Sequence, residues 1–163
     1  MLSTQRTNYF AYCLMQRRPS AQAAVRGGST YPDIIGNVYF YAVSGGVFVA
    51  AEVIGLPYQR DDCGGRIFGF HIHEGESCTG NGENPFSDTG GHYNPRNCPH
   101  PGHAGDLPPL FGNNGYAWAA FFTNRFGIRE ITGKTIVIHN NPDDFKTQPS
   151  GGSGERIASG VIR

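Results

Sequence analysis

Charge is scarce in this chain, and it is balanced. Charged side chains make up 16% of the 163 residues, with thirteen basic and thirteen acidic, so the formal net charge is zero with histidine neutral. That excludes the basic footprint of a nucleic-acid binder, and no run of Lys or Arg restores one locally. An anionic ligand would have to be drawn by a few placed charges, not by the molecule as a whole. Long apolar runs are missing too. Ala117–Phe122 falls far short of the roughly 20 apolar residues a spanning helix needs, so no membrane crossing is expected. Internal repeats and long helical periods are likewise absent.

Acidic residues are missing from residues 1–31, which carry several arginines. The apolar stretch Tyr9–Met15 precedes Arg17 and Arg18, whereas a secretory signal carries its charge first. Residues 1–23 therefore read as an extension, a short surface helix or disordered, in front of a domain at 24–163. An organelle-targeting peptide within residues 1–31 is the alternative to a cytoplasmic location.

Glycine and proline are plentiful, at 24 and 11 residues. With so little charge, that composition suits an all-β domain with many turns and long ordered loops. Strands are expected at Ile35–Val43 and Val47–Ile54, separated by Ser44, Gly45 and Gly46 as a hairpin. Further strands are expected at Arg66–His73, Tyr116–Thr123, Lys134–His139 and Glu155–Ile162. Between them lie two long loops, from Glu74 to about Asn114 and from Asn140 to Gly154. Loops of that length inside a compact domain are usually functional. The pattern points to an antiparallel sandwich or flattened barrel.

All six histidines fall after residue 70: His71, His73, His92, His100, His103 and His139. His71 and His73 are two apart on a predicted strand, so alternation sends both to one face as a preformed chelate. His100, His103 and Asp106 in HPGHAGD supply two imidazoles and a carboxylate, which suits a tetrahedral zinc site given one more nitrogen. His139 ends a separate strand that could reach the same region. Imidazole suits copper and zinc alike, so ligand type alone does not choose the metal.

GFHIHEG, GGHYNP, HAGD, GKTIVIH and GERIASGVI, in that order, resemble the motifs of the copper/zinc superoxide dismutases over most of the chain after about Ala24. The resemblance implies an eight-stranded Greek-key β-barrel with two functional loops, copper and zinc as cofactors, and superoxide as substrate. It implies His71, His73, His92 and His139 as copper ligands, and His92, His100, His103 and Asp106 as zinc ligands, with His92 shared. Asp143, with Asp144 as fallback, resembles the aspartate that links a copper histidine to a zinc histidine. Arg156 resembles the arginine at the mouth of the copper channel, acting with His92 in catalysis.

The chain departs from the family in several places. Relatives usually carry a disulfide from the loop after H-x-H to the last strand. Cys78 occupies the first position, but Ser159 stands at the second. A substitute Cys78–Cys98 bridge is the expectation here, with free thiols in a reducing compartment as the alternative. The second loop has Lys146 as its only lysine, so steering would be weaker or come from Arg125 or Arg129. The chain ends at Arg163, directly after GVI, which leaves homodimer and monomer both open. Competing functions are a non-enzymatic copper/zinc delivery protein on the same scaffold, and a zinc hydrolase with Glu74 as base. The complete ligand set and Arg156 speak against the first, and the filled zinc coordination against the second.

Overall fold

The computed structural model describes residues 16–59, 65–81 and 84–163. Alternating side chains build most of it. Strand β1 (Ala21–Gly27) turns Ala21, Ala23 and Val25 inward and leaves the residues between them exposed. It begins three residues before the expected boundary at residue 24. Residues 1–15 of the expected extension lie outside the described residues, as do Cys13 and Cys63. Strands β2 (Ile35–Val43) and β3 (Gly46–Ile54) pair as a hairpin from Ile35↔Ile54 to Val43↔Gly46. Gly46 joins the strand, so the turn is Ser44–Gly45, and Gly45 takes the positive φ of 82° such a turn demands.

The expected strand Arg66–His73 is interrupted at Gly69, giving β4 (Gly65–Phe68) and β5 (Phe70–His73). Gly69 has no room for a side chain, since a Cβ there would press on Ser153 and His139. Strand β6 (Leu110–Asn113) lies inside the segment expected to be loop. It is followed by β7 (Ala117–Thr123), β8 (Thr135–His139) and β9 (Arg156–Val161). Seven strands form one antiparallel sheet in the order β5-β8-β9-β1-β2-β3-β7, and β4 pairs with β6. With β4 and β5 counted as one interrupted strand, the described residues give the eight expected, curled into a barrel.

Val38, Phe40, Val49, Val53, Phe70, Ile136 and Ile138 belong to the fully buried core. Each buried side chain of this size contributes about 1.5–3 kcal/mol. On one half of the barrel the outward face is buried as well. Every residue of β5 and β8 is inaccessible. Phe70, Ile72, Ile136 and Ile138 face the core, so His71, His73, Val137 and His139 face the two long loops that cover them. The fold thus makes a dry seam between a stiff sheet and its loops, with histidines on the sheet side. Among the described residues no helix is long and apolar enough to cross a membrane.

Candidate metal centre

The six histidines converge on that seam, each nearly inaccessible to solvent. His71 and His73 come from β5, and His139 from the end of β8, where the register against β9 skips Ile157. The long loop brings His92 beside His73 and Asp106 beside His71 through isolated β-bridges. His92 lies between two groups. The ligand atoms of His71, His73, His92 and His139 lie within 4.8 Å of one another, as do those of His92, His100, His103 and Asp106.

Outer partners determine which ring nitrogen is free. His71 Nε2–H donates to Asp143 Oδ2 at 2.7 Å, and His100 Nε2–H to Asp143 Oδ1 at 2.9 Å. His73 Nδ1–H donates to the Gly90 carbonyl at 2.9 Å, and His139 Nδ1–H to the Gly154 carbonyl at 3.1 Å. These partners leave lone pairs on His71 Nδ1, His73 Nε2, His139 Nε2 and His100 Nδ1, all pointing into the seam. His73 Nε2 and His139 Nε2 then face each other at 3.2 Å with no proton between them. His71 Nδ1, His92 Nε2 and His100 Nδ1 are buried with no hydrogen-bond partner. His100 Nδ1 is 3.1 Å from Asp106 Oδ2, but the contact lacks the alignment of a hydrogen bond. Buried lone pairs aimed at one another are costly unless a cation sits among them.

The second group has zinc dimensions. Asp106 oxygens lie 2.8 Å from His92 Nδ1 and 3.3 Å from His103 Nδ1, and the two Nδ1 atoms are 3.5 Å apart. A tetrahedron with arms of about 2.0–2.1 Å has edges of about 3.3 Å. His92 thus presents Nδ1 to this group and Nε2 to the other, and neither nitrogen is spent elsewhere.

Electrostatics favour the ligating forms. Burial holds His73 well below the usual imidazole range, helped by His139 and His92, and lowers His139 to about 3, with His71 adding to the effect. Burial also lowers His71, although Asp143 opposes it. For Asp106 and Asp143 burial acts upward, but the histidine hydrogen bonds prevail and keep both carboxylates ionised. Asp143 fills the linking position, and Asp144 instead caps Thr147 on the surface. Gly151 lies against Asp143 so closely that only glycine fits.

Arg156 pairs with His139 across β8 and β9, an adjacency that no spacing in the chain displays. It is half-buried and lines an open cavity of about 590 Å³ with His73, His92 and His139. Its Nη1 donates to the Phe86 carbonyl at 3.1 Å and its Nη2 to the Gly90 carbonyl at 2.9 Å.

One expectation needs correction. The Cys78–Cys98 bridge is not formed, and both residues are free thiols. Cys78 turns towards Ser159 and the Val161 backbone on β9, and burial raises its thiol pKa. Cys98 lies in the zinc-side loop, where Asn94 braces its backbone. Arg125 is exposed and keeps its charge, but it also has a structural part. Its Nη1 donates to the carbonyls of Pro101, His103 and Asp106, clamping the zinc-side loop. Sequence reasoning missed this clamp, the Gly90 and Gly154 carbonyls, and Gly151. The carbonyls have no sequence signal, whereas a glycine run after HNNPDD marks the region of Gly151.

Residues 34–162 match the family model described as copper/zinc superoxide dismutase. A superoxide dismutase [Cu-Zn] 2 from Aquifex aeolicus (strain VF5) is 31% identical over 150 residues, covering 83% of this chain and 82% of that protein. A superoxide dismutase [Cu-Zn] from Deinococcus radiodurans is 36% identical, covering 72% of this chain and 71% of its own. One from Caulobacter vibrioides is 34% identical, covering 88% and 86%. A shared imidazole between two buried ligand sets, carried on this barrel and matched over this length, means that the chain belongs to the copper/zinc superoxide dismutase family.

Proposed function

We propose that this chain disproportionates superoxide with the following division of roles. His71 Nδ1, His73 Nε2, His92 Nε2 and His139 Nε2 hold copper. His92 Nδ1, His100 Nδ1, His103 Nδ1 and an Asp106 oxygen hold zinc. The observation that carries this reading is the set of proton-free nitrogens directed at one another across the seam, with His92 facing both ways. Copper, when bound, supplies the one-electron redox change, while d¹⁰ zinc supplies a fixed charge.

The residues do the rest. Arg156 is the cation at the cavity wall, drawing the superoxide anion in and holding it by charge-assisted hydrogen bonds. Its own two bonds, to the Phe86 and Gly90 carbonyls, fix the plane of the guanidinium. His92 Nε2, which faces the copper-side group while Nδ1 stays in the zinc-side group, carries a proton between turnovers. Overall, two superoxide ions and two protons give one dioxygen and one hydrogen peroxide.

One preparation tests this reading by metal analysis and a superoxide-decay assay. One copper and one zinc per chain with rapid decay is the expected result; a doubly loaded protein that leaves superoxide untouched refutes it. Arg156→Ala should keep both metals, lower kcat/KM by about ten- to hundredfold and flatten its dependence on ionic strength. An unchanged salt profile would remove Arg156 from the mechanism.

A further inference from the structure

The carbonyls that hold Arg156 are the two ends of one short turn. Phe86 and Gly90 flank the 3₁₀ turn Ser87–Thr89, and both have positive φ, at 63° and 70°. The Phe86 carbonyl also accepts from Thr89 Oγ1 at 2.8 Å. The Gly90 carbonyl serves Arg156 and His73 Nδ1 together. A shift of this turn would move the anion-binding guanidinium and a copper ligand at once. No covalent bond secures the segment, since Cys78 is a free thiol.

We propose that Asp88, at the centre of the turn, is the positioning residue for Arg156. Its carboxylate gathers several donors from the opposite arm of the loop. Oδ2 accepts from Thr79 N–H at 3.0 Å and Thr79 Oγ1 at 2.7 Å, and Oδ1 accepts from Gly80 N–H at 2.9 Å. Gly80 packs against the Phe86 backbone so closely that a Cβ would overlap its nitrogen. The Asp88 bonds therefore press Thr79–Gly80 onto the residue whose carbonyl holds Arg156. Slight burial acts upward on Asp88, but bonds from Ser77, Thr79 and Gly80 outweigh it and lower its pKa to about 2, so the clasp stays charged through the working range.

This inference rests on Arg156 being the superoxide-attracting group, and the test separates the two claims by sign. Asp88 is also a negative charge near Arg156. If charge were its only contribution, Asp88→Asn would strengthen the local positive field and raise kcat/KM at low salt. If it is a clasp, Asn keeps one acceptor, turns an NH₂ towards the remaining donors, and the rate falls. The full-length, metal-loaded Asp88→Asn protein should retain both metals. Its Thr79 and Gly80 amides should exchange about tenfold faster, as expected for losing hydrogen bonds to a charged acceptor. Arg156 should react faster with phenylglyoxal, read by peptide mass mapping, and kcat/KM should fall about three- to tenfold through misplacement of the guanidinium. A raised or unchanged rate with unaltered Arg156 labelling overturns the proposal. If Arg156→Ala alone leaves the rate intact, the role of Arg156 falls, while exchange and labelling still decide whether Asp88 positions it.

Discussion

Removing Asp143 should damage the two metal sites unequally. Its side chain is almost wholly buried and accepts hydrogen bonds from Nε2–H of His71 at 2.7 Å and of His100 at 2.9 Å. It also accepts the Phe145 amide at 2.7 Å, which ties down the second loop. In Asp143→Ala both imidazoles lose the acceptor that keeps their Nδ1 free. The strand holds His71 regardless, since β5 is hydrogen-bonded along its length to β8. His100 sits in the long loop, and its ring is anchored there by the hydrogen bond to Asp143. Loss of an outer partner of a metal-bound histidine typically costs ten- to hundredfold in affinity. The strand-borne ring should take the lower end, about tenfold in copper affinity or ~1.4 kcal/mol. The loop-borne ring should take the upper end, about hundredfold in zinc affinity or ~2.7 kcal/mol. Competition titrations with chromophoric chelators on the purified variant measure both. Zinc affinity within threefold of wild type, or copper falling further than zinc, would refute the reasoning.

Three further outcomes follow from the same geometry. Burial keeps His73 and His139 neutral when folded, His139 down to about 3, whereas the unfolded chain protonates both near 6.5. Below about pH 6.5 the unfolded state therefore binds more protons, and the metal-free protein should lose about 1.4 kcal/mol per pH unit per histidine as pH falls. Urea midpoints that do not move between about pH 7 and 5 would contradict this. Ser159→Cys should bond to Cys78, which already faces residue 159, and stabilise the oxidised protein by up to about 4.5 kcal/mol through the long loop it closes. A melting temperature insensitive to reductant would count against it. Gly151→Ala places a Cβ on Asp143 at a φ of +67°, so it should cost about 1–3 kcal/mol of stability and lower zinc affinity, checked by thermal melts and zinc titration.

The barrel was legible wherever alternation is strict. In β3, and in β2 as far as Phe40, every second residue is buried, and the turn residues between the strands announce a hairpin. Strand β6 escaped because its signal is inverted and brief. Pro108 and Pro109 precede it, Asn113 and Asn114 close it, and Phe111 points outward at 68% exposure while Leu110 fills the core. Four residues with one inward side chain do not make a period. Strand β1 was entered late because Ala21 and Ala23 are too small to read as core, although both are buried.

At the candidate metal centre, residue types and their order singled out the six histidines and Asp106 that the fold gathers into two buried groups, because an imidazole must be coded as histidine. What makes those imidazoles ligands, and not merely buried, is contributed largely by the backbone. The Gly90 and Gly154 carbonyls choose the tautomers of His73 and His139, and a backbone carbonyl carries no side-chain identity that would mark it in the sequence. The same limit explains the cysteines. Spacing showed that Cys78 and Cys98 share a loop but not which way either faces. Cys78 turns to the strand that carries Ser159, so the chain keeps the approach of loop to strand without a covalent bond across it. The loop must then be held by hydrogen bonds, and among its described side chains Asp88 gathers several, placed two residues from each of the carbonyls that grip Arg156 and His73. On the proposed reading, placement of Arg156 depends on an exposed carboxylate that has no metal-ligand signature.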